Sequence, residues 1–451
     1  MGTSFRNNQI SYEAWLTDVD NNVLLQKTPD IISISTLNEE LPKIIIDTQS
    51  NFQIIDGFGY TLNGGSARLI NEMDAEAKKK LLNEIYGNDE GSIGVNYIRL
   101  SVAASDLSDS VFSYNDLSDG ETDMDLTNFN MDMERVHLIP ILKEILDINP
   151  NILIMGSPWS PPAWMKTNNS PKGGSLKHEY FDVYANYLVR YIQEMGKEGI
   201  VIDALTIQNE PLHPGNNPSM YMSAEDQALF IKQSLGPAFE SAEIKTKIIV
   251  YDHNADHVEY PISILDDADA NKYVDGSAFH LYGGQIDALA ELYKAHPDKN
   301  IYFTEQWVGA PSNLKGDFNW HINNLIIGAS RNWCKTVLEW NLAADENQQP
   351  HTDGGCLNCL GAITIVGNEV ERNTAYYIIA HASKFVPTGS VRIESNMVEG
   401  LPNVAFKTPE GKCVVIVQNT KSINQRFNID VNGERIQANL PAEAVASIVV
   451  N

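Results

Sequence analysis

Eight short apolar segments, each followed by a longer helical pattern, constrain the fold of this chain more than any other feature. They lie at 54–60, 95–100, 152–156, 204–208, 248–251, 276–280, 301–304 and 336–340. Several are nearly continuous runs of apolar, β-branched residues, which is typical of strands buried on both faces of a parallel sheet. Eight such strands alternating with helices predict an α/β fold of the (β/α)8, or TIM-barrel, type.

Start and stop signals support the helices between these strands. Asp74 precedes AEAKKKLLNEIY and Gly87 follows it, so we expect a helix over 75–86 with Asp74 as its N-cap. Ser223, with Asp226 three residues later, predicts the start of another helix. After His178, apolar residues at helical spacing predict one buried face: Phe181, Tyr184, Leu188, Ile192 and Met195.

After Pro387 the pattern changes to short strands separated by turns. Six segments are predicted as strands, at 390–396, 403–408, 413–419, 425–431, 434–440 and 444–450. Asn432-Gly433 is a strong hairpin signal, because a type I′ turn needs positive φ at both central residues. We therefore predict an all-β sandwich for this tail. Segments 22–27 and 43–48 also resemble strands, and whether they pair with the tail stays open at this point.

The charge balance narrows the possible partners. The chain has 32 basic and 59 acidic residues, a net charge of −27. So acidic a surface repels phosphate backbones and anionic lipids, which argues against nucleic acid and favours a neutral ligand such as a sugar. No apolar run approaches the length of a transmembrane helix. The first nine residues lack the apolar core of a signal peptide.

Two of the four cysteines, Cys356 and Cys359, are separated by only two residues. This spacing fits a zinc half-site, a redox pair or a local disulfide. A zinc site needs two further ligands, and no second CxxC or HxxxH lies nearby. A structural pair is therefore favoured, and no metal is predicted.

Candidate catalytic residues follow from the barrel, since active sites of such barrels lie at the carboxyl ends of the strands. Asn209 and Glu210 end the fourth predicted strand, and Glu305 ends the seventh. A lone glutamate after a strand is usually a solvated loop residue or a helix cap. Two on one rim can lie about 5 Å apart, the geometry of retaining β-glycoside cleavage. One then protonates the leaving group while the other attacks the anomeric carbon.

Two polar residues at other strand ends suit such a site. Arg99 ends the second strand and needs an anionic partner, either a catalytic carboxylate or an ordinary structural one. Tyr282 ends the sixth, where its hydroxyl could hold a neighbouring carboxylate ionised. Asp252 and His253 end the fifth strand and fit binding residues and plain rim residues equally well.

Aromatic residues at the third and eighth strand ends could bind a sugar. The stretch SPWSPPAW contains Trp159 and Trp164, and the eighth strand ends at Trp340. Indole rings stack on sugar C–H surfaces, and their N–H groups donate to hydroxyls. We assign Trp164 to the core more readily than Trp159, so Trp159 and Trp340 are the candidates.

Taken together, these segments resemble glycoside hydrolase family 30, the family of lysosomal glucosylceramidase and of bacterial and fungal β-1,6-glucanases. The resemblance rests on an ordered set: DGFGYTLNGG, YIRLSVAASDLS, SPWSPPAWMKTN, TIQNEP, FHLYGG, YFTEQW and EWNLAADENQQPH. It runs from about residue 45 to 385 and continues loosely into the tail. It implies a barrel over 50–387 and a β-sandwich built from 1–49 plus 388–451. It also implies a retaining hydrolase that needs no cofactor.

The resemblance carries roles onto matching positions of this sequence. The catalytic pair would be Glu210 as acid/base and Glu305 as nucleophile. The residues around them would bind the substrate: Asn209 at the sugar 2-hydroxyl, Tyr282 and Arg99 at the nucleophile, and Asp106, Trp159 and Trp340 at the terminal glucose. His253 completes the candidate binding set. The mechanism requires a raised pKa for Glu210 in the free enzyme, which ionised Glu305 would help to raise.

The substrate prediction depends on the loop at 354–361, which looks more like bacterial β-1,6-glucanases than like the lysosomal enzyme. The favoured interpretation is an endo-β-1,6-glucanase acting on oligo- or polysaccharide β-glucan. Trp307 and Trp320 could line its leaving-group side. The alternatives are an exo-acting β-glucosidase or glucosylceramidase-like enzyme, and a catalytically silent glycan-binding protein. We expect a monomer that is secreted, periplasmic or on the cell surface, with its signal absent from this sequence.

Overall fold

A computed structural model describes residues 11–33 and 38–451. The prediction made for the first nine residues lies outside these ranges. The strands in chain order are β1 (Tyr12–Asp18), β2 (Val23–Lys27), β3 (Ile32–Ser33), β4 (Lys43–Ile54), β5 (Gly57–Leu62), β6 (Tyr97–Val102), β7 (Leu153–Pro158), β8 (Ala204–Thr206), β9 (Lys247–Asn254), β10 (Val274–His280), β11 (Asn300–Glu305), β12 (Val308–Gly309), β13 (Cys334–Asn341), β14 (Ala343–Ala344), β15 (Cys359–Leu360), β16 (Ile363–Val366), β17 (Glu369–Arg372), β18 (Val391–Ser395), β19 (Asn403–Lys407), β20 (Cys413–Gln418), β21 (Gln425–Val431), β22 (Glu434–Leu440) and β23 (Val445–Val450).

The helices pack mainly around the barrel. They are α1 (Gly64–Asn71), α2 (Ala75–Tyr86), α3 (Asp132–Val136), α4 (Leu138–Ile148), α5 (Phe181–Lys197), α6 (Ala224–Phe230), α7 (Gly236–Ser241), α8 (Glu259–Asp266), α9 (Ala268–Asn271), α10 (Leu289–Ala295), α11 (Leu314–His321) and α12 (Thr374–Ser383). Helices α6 and α7 are joined by a π-helical turn, and α11 continues as one. No helix in the described ranges combines the length and the apolar character needed to cross a membrane.

Eight parallel strands close into a barrel, which confirms the predicted fold class. Strands β5 to β11 and β13 pair in chain order, and β13 returns to pair with β5. Each predicted strand corresponds to one barrel strand. Their side chains are almost all buried, since helices cover the outside and neighbouring strands fill the inside.

Two helix starts were predicted from capping residues, and only one is capped in that way. Ser223 accepts a hydrogen bond from the Asp226 N–H at the start of α6. Helix α2 has the predicted span, but the Asp74 side chain makes no cap. The prediction for Asp74 was wrong because the side-chain amide of Asn368 binds it instead, donating to its carboxylate at 2.7 Å.

The tail strands build a second body, as the sandwich prediction required. Ten strands hydrogen-bond in the order β2-β1-β23-β20-β19-β18-β4-β21-β22-β3. Both chain ends contribute, because β1 pairs with β23 and β4 lies between β18 and β21. Side chains of β20 alternate: Val415 and Val417 enter the sandwich core, whereas Val414 and Ile416 pack against the barrel. The β21–β22 hairpin turns at Asn432 and Gly433, both with positive φ.

A buried histidine joins the two bodies. His381 of α12 lies 2.8 Å from the Thr17 hydroxyl of β1 and 2.8 Å from the Ser447 hydroxyl of β23. Burial lowers the pKa of His381 to about 3, so its ring is neutral at ordinary pH. A polar bridge of this kind fixes how α12 sits against the sandwich.

Candidate active site

A cavity of about 340 Å³ opens at the carboxyl ends of the barrel strands. Six of the nine predicted catalytic and binding residues line it: Asp106, Glu210, His253, Tyr282, Glu305 and Trp340. The other three, Arg99, Asn209 and Trp159, are buried directly behind this lining. His213, Asn216, Asn254 and Trp307 complete the wall with Cys356 and Cys359.

The two glutamates face each other across the cavity. A carboxylate oxygen of Glu210, one of Glu305 and a ring nitrogen of His280 all lie within 4.8 Å of one another. Glu305 is the last residue of β11, whereas Glu210 lies four residues beyond β8, in a turn. The Glu210 backbone has a φ of 45° and donates its N–H to the Asp252 carbonyl at 3.0 Å. The turn thus aims the Glu210 carboxylate inward.

Arg99 of β6 holds several of these groups in place. Its guanidinium donates to Glu305 Oε2 at 2.5 Å, to Asn209 Oδ1 at 2.7 Å and to Asp252 Oδ2 at 2.9 Å. The side chain is fully buried, so its charge depends on these partners. Tyr282 donates to the other oxygen of Glu305 at 3.0 Å. Each oxygen of Glu305 therefore accepts a hydrogen bond.

Asp252 is more important to this site than its sequence position indicated. The sequence was equally consistent with a plain rim residue, but Asp252 is fully buried. Besides Arg99, it accepts hydrogen bonds from three hydroxyls, those of Ser157, Thr206 and Thr304, at 2.6 to 2.8 Å. Burial opposes its charge, but Arg99 and His280 outweigh it and lower the pKa of Asp252 well below its usual value.

His280 of β10 is a site residue that the sequence prediction missed. Its Nδ1 lies 3.2 Å from Glu210 Oε1 and its Nε2 lies 3.2 Å from Asp252 Oδ1. Although burial opposes the charge, Glu305, Asp252 and Glu210 raise the pKa of His280 to about 9. The signal was its position, since His280 is the last residue of the sixth predicted strand, and barrel active sites lie at the carboxyl ends of the strands.

The pKa values of the two glutamates differ in direction from the expectation. Burial favours the neutral form of Glu210, but the hydrogen bond and charge of His280 outweigh it and lower the pKa of Glu210. Burial raises the pKa of Glu305 against the opposing charges of His280 and Arg99. The predicted raised pKa of Glu210 was wrong, because the prediction did not take His280 into account.

Two tryptophans form one wall, with Trp159 stacked on Trp340 at 5.3 Å between ring centroids. The Arg99 guanidinium lies over Trp159, 4.9 Å from its centroid. Trp340 faces the cavity, whereas Trp159 is only 1% exposed and backs it. The Trp159 N–H has no hydrogen-bond partner among the described residues. Trp164 packs in the main core, and its N–H donates to the Asn115 carbonyl.

The remaining candidates divide between the cavity and the exterior. His253 lines the cavity, burial lowers its pKa to about 4, and its Nδ1 has no partner in the described chain. Trp307, just beyond Glu305, also lines it. Trp320 does not: it lies on α11, where the Gln418 side chain of the sandwich donates to the preceding carbonyl. The suggestion that Trp320 lines the leaving-group side was wrong, because α11 packs on the outside of the barrel.

The paired cysteines form a disulfide, so they do not offer the thiolates that a zinc half-site needs. Cys356 and Cys359 lie at the cavity wall, beside Asp106. Burial and the charges of Glu305 and Glu210 raise the pKa of Asp106 to about 7. Cys334 and Cys413 are buried free thiols elsewhere.

Comparison with known proteins agrees with this geometry. The glycosyl hydrolase family 30 TIM-barrel domain matches residues 55–386, and the family's β-sandwich domain matches 389–448. The endo-1,6-β-D-glucanase of Neurospora crassa is 34% identical over 388 residues, covering 81% of this chain and 79% of that protein. The lysosomal acid glucosylceramidase of Mus musculus is 28% identical, covering 84% and 77%. The solved endo-β1,6-glucanase BT3312 superposes with a TM-score of 0.88 at 31% identity, covering 97% and 98%.

Proposed function

Given that the chain belongs to glycosyl hydrolase family 30, we propose that it is a retaining endo-β-1,6-glucanase. The observation that carries the proposal is the buried pair Glu210 and Glu305, with carboxylate oxygens within 4.8 Å. Retaining glycosidases keep their carboxyl groups about 5–5.5 Å apart, whereas inverting enzymes need room for a water molecule. The identity to named endo-1,6-glucanases supports the choice of substrate.

The nucleophile in this mechanism is Glu305. Arg99 and Tyr282 each donate to one of its oxygens, which stabilises the carboxylate needed for attack on the anomeric carbon. The carbon–oxygen bond to the leaving group breaks as the glycosyl ester with Glu305 forms. Asn209, held by Arg99, is placed to bind the 2-hydroxyl of the sugar, a contact that strengthens in the transition state.

The proton for the leaving group passes through Glu210. Its neighbour His280 carries a proton at neutral pH, and Nδ1 faces Glu210 Oε1. As negative charge develops on the leaving oxygen, Glu210 donates a proton to it, and His280 can replace that proton. In the second step Glu210 removes a proton from water, which then hydrolyses the ester.

One ring of glucose fits the inner cavity. Trp340 offers an aromatic face, and Asp106 offers a carboxylate to the sugar hydroxyls. Trp307 and His253 also line the cavity, and Trp307 is the proposed contact for the leaving-group sugar. An exo-acting glucosidase of the glucosylceramidase type would use the same inner contacts, so it remains the second candidate, supported by the 28% identity to the mouse enzyme.

Digestion of β-1,6-glucan, with products resolved by size, tests the proposal. A ladder of gentio-oligosaccharides is expected from an endo enzyme. Release of glucose alone from chain ends would instead favour the exo candidate, and binding without hydrolysis would favour the silent glycan-binding protein.

Azide rescue tests the roles of the two glutamates separately. In Glu305→Gly, azide attacks from the side that the nucleophile vacates, so an activated aryl β-glucoside should give the α-glucosyl azide. In Glu210→Ala, the glycosyl-enzyme still forms and azide should give the β-anomer. Reversed stereochemistry would exchange the two roles.

The cellular location is proposed to be secreted, periplasmic or cell-surface. The Cys356–Cys359 disulfide supports this, because disulfides persist in oxidising compartments and are rare in the cytosol. A β-glucan polymer outside the cell is the expected partner.

A further inference from the structure

The loop from Thr352 to Leu360 connects two walls of the active-site cavity. At one end its backbone packs against Asp106: the Thr352 N–H donates to the Asp106 carbonyl at 2.9 Å. A Cβ at Gly355 would lie 2.3 Å from that carbonyl, so only glycine permits this approach. Burial raises the pKa of the Asp106 carboxylate, and the nearby backbone N–H of Cys356 acts in the opposite direction.

The other end of this loop is tied to the segment that follows the nucleophile. Cys359 and Leu360 form β15, which pairs antiparallel with Val308 and Gly309 of β12. The Asn358 carbonyl accepts a hydrogen bond from the Ala310 N–H at 2.8 Å. The loop therefore spans from the β6 side of the cavity to the β11 side.

The disulfide is the part of this loop that packs inward. Cys359 belongs to a buried cluster with Trp159, Trp340 and Leu107, and Cys356 packs against the same cluster. Leu357, between the two cysteines, is 68% exposed and contributes no core packing. The crosslink thus packs the loop between the Asp106 side of the cavity and the wall formed by Trp159 and Trp340.

We infer that the Cys356–Cys359 disulfide is a positioning element for substrate: it fixes Asp106, so that cleaving it weakens glucose binding. The inference rests on the proposed function of this cavity. A dithiol reductant would break the S–S bond, leave two thiols and become a cyclic disulfide itself. Because the disulfide closes a very short loop, it removes little conformational entropy from the unfolded chain. We therefore expect it to affect the local structure of the loop more than the stability of the whole protein.

A double-mutant cycle tests whether the disulfide acts through Asp106. In a Glu305→Gln background, which binds without turnover, calorimetry measures the Kd for gentiobiose. Cys356→Ser/Cys359→Ser should weaken binding about tenfold, and Asp106→Asn at least as much. Because both changes disturb the same contact, the combined variant should bind no worse than Asp106→Asn alone. Cys413→Ser, a buried free thiol in the sandwich, is the matched control and should leave Kd unchanged.

Reduction provides an independent readout. Dithiothreitol should weaken gentiobiose binding about tenfold in the Glu305→Gln protein but not in the variant that already lacks both cysteines. Fully additive penalties, or undiminished binding without the disulfide, would overturn the inference. Wild-type digestion of β-1,6-glucan is assayed alongside: absence of hydrolysis would count against the proposed function, whereas hydrolysis with unchanged binding counts only against the disulfide.

Discussion

At the scale of single residues, the site is a balance of buried charges. Arg99 contacts carboxylates from two different strand ends, those of Glu305 and Asp252, and its partners fix where the nucleophile points. The sequence predicted that Arg99 needs an anion but not that Asp252 is the fully buried one. That information lies in the barrel closure, which brings β6, β7, β8, β9 and β11 to one point.

Replacing Asp252 by alanine should strongly destabilise the protein. The change removes one of the carboxylates that pair with the buried Arg99 guanidinium. Breaking a buried ion pair in this way lowers the free energy of unfolding by about 3–5 kcal/mol. Urea denaturation measures the loss. Lys315→Ala, which removes surface ion pairs to Asp20 and Glu443, is the control and should change little. Equal losses in both variants would contradict the role given to Asp252.

His280→Gln should move the alkaline limb of activity to lower pH. The pKa of His280 is raised to about 9, so in the wild type its proton is lost only above that pH. Without the imidazolium, Glu210 must hold the proton by itself, and a carboxyl group gives it up below pH 9. The measurement is kcat/KM against pH on a β-glucoside with a poor leaving group. If the alkaline limb of His280→Gln lay at the same pH as that of the wild type, His280 would not be a source of the transferred proton.

At the scale of elements, much of the architecture was readable because local signals agree with the fold. The Asn432-Gly433 turn, the Ser223 cap and the eight apolar strands all appear where the sequence predicts them. Asp74 shows where local signals fail to predict the structure. The side chain of an expected cap residue can bind a distant partner instead, here Asn368, 294 positions away. Such partners follow from tertiary packing and not from local sequence.

Substitutions at two glycines with open space around them can measure backbone effects on stability without a contribution from packing. Gly433 has a φ of +92° and Gly196 lies in α5 without positive φ, and a Cβ at either would meet nothing within 4 Å. Gly433→Ala should destabilise by roughly 1 kcal/mol, whereas Gly196→Ala should stabilise by up to about 1 kcal/mol. Thermal unfolding distinguishes the two signs. Stabilisation by both would contradict the turn assignment.

At the scale of the whole molecule, His381 joins the barrel to the sandwich, and its low pKa makes the stability of the folded protein decrease in acid. Its folded pKa is about 3 against about 6.5 unfolded, so the unfolded chain binds more protons between these values. Stability from this group is present above pH 6.5 and is lost as the pH falls toward 3. The loss amounts to about 2 kcal/mol between pH 7 and 5.

His381→Gln should flatten that part of the stability profile, measured as the free energy of unfolding from pH 7 to 5. His257→Gln is the control. The exposed His257 has a raised pKa because of its hydrogen bond to Glu259, so it contributes in the opposite direction. An unchanged slope in His381→Gln would show that His381 does not govern acid sensitivity.

The pairing of β1 with β23 makes completion of the sandwich depend on the order in which the chain is synthesised. Tyr12 of β1 lies opposite Val450 of β23, so β1 cannot form this pairing until β23 has been translated. At about 5–20 residues per second, that delay is tens of seconds. All eight barrel strands emerge earlier, so the barrel can already fold while β1 still presents an open edge. Nascent-chain crowding on a polysome would therefore endanger the sandwich before it endangers the catalytic half.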